Sequence, residues 1–99
     1  MAPYTTEELK RIVTPIAMAH GVKSVSLFGS YARQEATETS DVDLKIEKGS
    51  IRSLFQLSGF RLAVEDALHV PIDLVTTESS DQAFLDEISR EEVLLYRKA

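Results

Sequence analysis

The 99-residue chain has no cysteine and no tryptophan, only four glycines and three prolines, and too few basic side chains to balance its acids, leaving a formal charge of −5. Without cysteine, disulfides and thiolate zinc sites are excluded. No apolar run approaches the roughly 18 residues of a membrane-spanning helix. The start, Met1-Ala2-Pro3-Tyr4-Thr5, lacks the basic and apolar regions of a secretory leader, so the cytoplasm is the expected location and no membrane partner is expected. The negative balance argues against long nucleic-acid tracts as ligands, because nonspecific affinity for them comes from Lys and Arg neutralising phosphates. It is compatible with a magnesium site, which needs clustered carboxylates. What is present is the composition of a folded domain, 43% hydrophobic and 27% charged, so disorder is not expected. The length fits one domain over residues 1–99, with a single core and no separate acceptor module.

Thr5-Thr6-Glu7-Glu8 has the form of a capping box, and Leu9, Ile12, Val13 and Ile16 follow at helical spacing. This predicts a helix over 6–19, kinked near Arg11 to Thr14 by Pro15 and stopped by Gly21. Val25 to Phe28 reads as a buried strand, Gly29 to Gln34 as a helical start, and Glu35 to Ser40 as a polar return into a second strand, Val42 to Ile46. Gly49-Ser50 ends that strand, with Ser50 placed to cap a long helix. Leu54, Leu57, Leu62, Val64 and Leu68 supply its apolar side, and Gly59 is its weak point. Pro71 opens a third strand, Ile72 to Val75; a polar turn through Ser80 and a helix over 81–89 follow. Val93 to Tyr96 fits either a short strand or a helical tail. The link between the first two strands is too short for a parallel crossover. The pattern therefore predicts an α/β (α+β) domain, a small mixed or antiparallel sheet backed by helices.

The functional signal is a spacing. Gly29-Ser30-Tyr31-Ala32-Arg33 is followed, after a polar stretch, by Ser40-Asp41-Val42-Asp43-Leu44. On a strand, residues i and i+2 point the same way about 6.6 Å apart, so Asp41 and Asp43 can both reach hard cations between them. The glycine turn offers backbone N–H groups to a phosphate. Taken alone, Gly29-Ser30 is an ordinary strand-to-helix turn and Asp-Val-Asp an ordinary half-exposed strand edge. Asp73 changes the balance, because an acid within the apolar run Val70 to Val75 is costly to bury unless it is paired or metal-bound. Three carboxylates around two magnesium ions are the parts of an in-line displacement at a nucleotide α-phosphate. Asp41 and Asp43 would hold the metals and the nucleotide, and Asp73 one metal and the proton of the attacking hydroxyl. Ser30 is a phosphate-binding candidate; Arg33 either joins it or pairs with a nearby acid. Tyr31 and Lys45 read as rim or solvated surface, and His20 and His69 as capping or surface histidines.

Gly29-Ser30-x-Ala32-Arg33, Ser40-Asp41-x-Asp43-Leu44 and Asp73-Leu74-Val75 together resemble the minimal nucleotidyltransferase group of the DNA polymerase β-like superfamily, over nearly the whole chain. The resemblance implies a small mixed-sheet domain that uses ATP and two Mg2+ ions to transfer a nucleoside monophosphate. It further implies the antitoxin role of HEPN toxin pairs, in which the acceptor is a tyrosine of the toxin, with homo- or hetero-oligomers among the possible assemblies. A binding module that neutralises its partner by contact alone, and a transferase acting on a small molecule, are the competing expectations. The family often has glycine after Ala-Arg; Gln34 stands there in this chain, from which an altered loop is expected.

Overall fold

Helix α1 (Thr6–His20) begins at the expected capping box: the Thr5 hydroxyl accepts from the Glu8 N–H at 3.1 Å, and the Glu8 carboxylate accepts from the Thr5 N–H at 2.8 Å. The structure, a computed structural model, describes residues 3–78 and 81–99. The helix continues through Pro15 and stops at Gly21, whose φ of 72° a side chain would strain. Next come β1 (Ser24–Phe28), α2 (Gly29–Ala32), β2 (Val42–Glu47), α3 (Leu54–Leu68), β3 (Ile72–Thr76), α4 (Gln82–Ser89) and β4 (Val93–Arg97).

The strands form one mixed sheet in the order β3-β2-β1-β4. β1 is antiparallel to β2 and β4, whereas β2 and β3 run parallel, joined by the long crossover that carries α3. Val93 to Tyr96 is thus a strand; a bulge near Val25 and Ser26 shifts its register against β1. The last helix starts at Gln82, with the Asp81 carboxylate accepting from the Phe84 N–H at 3.0 Å. The expected polar turn reaches Ser79 and Ser80, which lie outside the described residues.

Alternation along β2 sorts the two faces of the sheet. Val42, Leu44 and Ile46 are buried with Val25 and Leu27 of β1, under Leu9, Val13 and Ala17 of α1 and Phe60, Val64 and Leu68 of α3. Asp43, Lys45 and Glu47 point to the other face. There the Phe28 ring meets Phe84 of α4 edge-on, with centroids 6.2 Å apart.

Two expectations for α3 are corrected. Ser53, not Ser50, is the cap, its hydroxyl accepting from the Gln56 N–H at 3.2 Å, because Ile51 and Arg52 still belong to the link. The apolar side is also different. Leu57 packs against the core and Phe60, Val64 and Leu68 are buried in it, while Leu54 is 81% and Leu62 56% exposed. Leu62 lies two residues from both Phe60 and Val64, about 200° round the helix. Phe60→Ala is expected to cost about 3–5 kcal/mol, and Leu62→Ala to stay within about 0.5 kcal/mol. Urea titration measures both, and equal losses would contradict this burial.

Candidate active site

Pairing places Phe28, Asp43 and Asp73 in one row across three strands: Asp43 is in register with Phe28 of β1 and with Asp73 of β3. Residues in register on neighbouring strands sit about 5 Å apart with side chains on the same face. Asp43 and Asp73 are therefore adjacent, although one comes from a hairpin and the other from beyond a crossover. Asp43 is half-buried and Asp73 exposed. Asp41 is exposed and lies one residue before β2, which starts at Val42 as expected; there the chain first joins β3 through the Val42 N–H donating to Pro71 O at 3.0 Å.

Burial pushes the Asp43 carboxyl up to about 6, aided by the charges of Asp73 and Asp41 and by a hydrogen bond with Asp73, against a smaller opposing pull from Arg33. Protonated Asp43 donates in that bond. The three carboxylates are thus in electrostatic contact. Among the described residues they do not form a closed ligand cage, so a cation would have to draw the carboxylates together. The donor set still suits magnesium, being all oxygen and anionic, and the repulsion from Asp73 and Asp41 that adds to the effect of burial on Asp43 is what a cation would relieve.

The turn after β1 is built around the Asp43 side chain. Gly29 has φ 74°, and a Cβ there would come within 3.0 Å of Asp43 Cγ and closer still to Oδ2. Glycine is required twice over, for its conformation and for the space the carboxylate fills. Ser30 is half-exposed, and its hydroxyl has no hydrogen-bond partner among the described residues. Gln34 has φ 60°, so glutamine occupies a left-handed position that glycine would take freely. Strain of about 1–2 kcal/mol accompanies it.

Arg33 is paired with acids in this structure. Its Nε donates to Glu35 at 2.8 Å, and its Nη1 donates to both oxygens of Glu91 at 3.1 and 3.2 Å. Glu91 also accepts from the Gly29 N–H at 3.2 Å. Nothing in the sequence around Glu91 marks it. Its partners are 62 and 58 residues away, and no local spacing signals such a contact.

Tyr31, expected at the surface, is 5% exposed and joins the core. Lys45 is mostly covered and ion-paired with Glu92. His69 is the exposed left-handed cap of α3, whereas His20 is half-buried with its ring against Phe60, centroids 5.8 Å apart.

The profile of the family described as polymerase beta, nucleotidyltransferase, matches residues 10–99. A Methanocaldococcus jannaschii protein, provisionally named a protein adenylyltransferase, is 42% identical over 87% of this chain and 92% of its own length. The protein adenylyltransferase MntA of Thermococcus cleftensis is 34% identical over 94% of this chain and 98% of its own. A structure solved for a candidate minimal nucleotidyltransferase superposes with a TM-score of 0.78 and 31% identity, covering 91% of this chain and 95% of that one. Two others share the fold at low identity. One is a toxin–antitoxin crystallised with AMP-PNP (TM-score 0.77, 16% identity, 90% of this chain and 73% of that one). The second is a tri-AMPylated Shewanella oneidensis HEPN toxin in complex with its MNT antitoxin (TM-score 0.72, 14% identity, 95% and 74%).

Proposed function

Since the chain belongs to the polymerase beta nucleotidyltransferase family, we propose that it transfers AMP from ATP to a protein hydroxyl, a tyrosine of a cognate HEPN toxin, and so acts as an antitoxin. The adenylyltransferase names of relatives that align over nearly the whole chain support the reaction, and the AMPylated toxin bound to a protein of the same fold supports the acceptor. The observation that carries the reading is the register of Asp43 with Asp73, which sets two carboxylates beside the Gly29-Ser30 turn.

Asp41, Asp43 and Asp73 would hold two magnesium ions, which when bound neutralise the triphosphate and polarise the α-phosphate. The chain's own groups supply the rest. Gly29, Ser30 and Arg33 bind the phosphates, orienting the α-phosphorus toward the open face of the sheet. Asp73, more exposed than its neighbour Asp43, meets the acceptor hydroxyl and takes its proton. The hydroxyl oxygen forms a bond to the α-phosphorus as the bond to the bridging oxygen breaks, and pyrophosphate leaves.

The test is incubation with α-labelled ATP, magnesium and a HEPN protein encoded beside this gene. Label on a toxin tyrosine, with loss of the toxin's activity, is expected. The exposed apolar side chains Leu54, Phe55 and Leu62 favour a second reading, neutralisation by contact alone. Full neutralisation without ATP would select it.

A further inference from the structure

Glu91 follows α4 in the turn that leads into β4, and its carboxylate bridges two donors of the Gly29 turn, the turn that abuts Asp43. Its Oε1 accepts from the Gly29 N–H at 3.2 Å and from Arg33 Nη1 at 3.1 Å, and its Oε2 accepts from the same Nη1 at 3.2 Å. One anion thus occupies the first main-chain N–H of the turn and a guanidinium whose charge reaches Asp43. A guanidinium and a turn N–H are the donors that phosphate oxygens select. Carboxylate and phosphate oxygens are both anionic acceptors, so one occupant weakens the other. The pair is not locked in place: the Arg33 and Glu91 side chains are 46% and 32% exposed.

We infer that Glu91 is an internal competitor of the triphosphate. In the nucleotide-free protein it satisfies the Gly29 N–H and holds Arg33; when ATP arrives, it must give up those contacts and remain as a negative charge nearby. Glu91 thereby sets ATP affinity below what the turn and Arg33 reach without it. The inference rests on the reading of Gly29, Ser30 and Arg33 as phosphate-binding groups. A purely supporting role, in which Glu91 steers Arg33 toward the nucleotide, predicts the opposite sign.

Magnesium–ATP binding by titration calorimetry decides between them, using the full chain, Glu91→Gln, Arg33→Ala and the double variant. Glutamine retains an acceptor for the Gly29 N–H while removing the charge. Glu91→Gln is expected to bind ATP about two- to fivefold tighter. The gain shrinks as salt rises and is smaller in the Arg33→Ala background, where only the Gly29 N–H and the repulsion between carboxylate and phosphate remain. Glu91→Ala serves as a second variant and is expected to shift affinity the same way. Unchanged or weaker binding by both Glu91 variants, with Arg33→Ala weakened, would overturn the role of Glu91. A gain undiminished without Arg33 would overturn the competition for its guanidinium. Arg33→Ala binding as wild type would instead overturn the underlying assignment of the phosphate site.

Discussion

Asp43→Asn is expected to abolish AMP transfer, by about a thousandfold or more, while leaving a folded protein that is more stable at neutral pH than the parent. The activity loss follows from removing the central carboxylate of the row, the one adjacent to both Asp73 and the Gly29 turn. The stability gain follows from the burial of that carboxyl, aided by the charges of Asp73 and Asp41. Asp43 ordinarily titrates near 3.8, and in the fold it is raised to about 6, so the folded state binds the proton more tightly than the unfolded chain. The stability this contributes is fully present below about 3.8 and is lost as pH rises through about 6. Above that, ionised Asp43 burdens the fold by an amount that solvent screening of a half-exposed group limits to about 1–2 kcal/mol. Asparagine has no such titration. Urea unfolding in metal-free buffer should therefore show the variant gaining on wild type between pH 4 and pH 7, then running parallel. Undiminished labelling of the acceptor by the variant would remove Asp43 from the chemistry, and a stability difference that ignored pH would contradict the crowded carboxylates.

Gly29→Ala is the second large effect expected. A methyl at φ 74° costs about 1–2 kcal/mol in strain. It must also displace the Asp43 carboxylate, whose Cβ, Cγ and Oδ2 all lie close to where the new carbon would sit. Transfer should fall about a hundredfold, since small displacements of a reacting constellation carry losses of that order. Gly59 makes the comparison informative. A Cβ there meets nothing within 4 Å, and its helical position favours alanine, so Gly59→Ala should stabilise by about 0.5–1 kcal/mol with activity intact. Thermal melts and labelling rates measured on both variants separate a local strain at the turn from a general sensitivity to added methyl groups.

The elements that the sequence made legible are those with local causes. The capping box of α1, the stop at Gly21, the alternation of β2 and the apolar Val25 to Phe28 run each act over a few residues, and the fold keeps all of them. Asp41 and Asp43 were readable because they are near in sequence, and Asp73 because an acid in an apolar strand is conspicuous. What stayed hidden depends on tertiary contact. Val93 to Tyr96 has no alternation to mark it as a strand until β1 is beside it. The exposed side of α3 cannot be chosen among five leucines and valines without the sheet on which it packs. Glu91 is one acid among sixteen until β4 brings it to the turn.

The parallel pairing of β2 with β3 has a consequence for how the protein becomes competent. β1, α2 and β2 are consecutive and can assemble by short-range closure, bringing Gly29, Ser30, Asp41 and Asp43 together early. Asp73 joins them only after α3 has docked and the crossover has closed in the correct register; a slip of one residue would turn its side chain to the opposite face. A half-formed chain can thus gather the proposed nucleotide side of its site without Asp73, the carboxylate proposed to meet the acceptor. Completion of the fold and arming of the site are the same event.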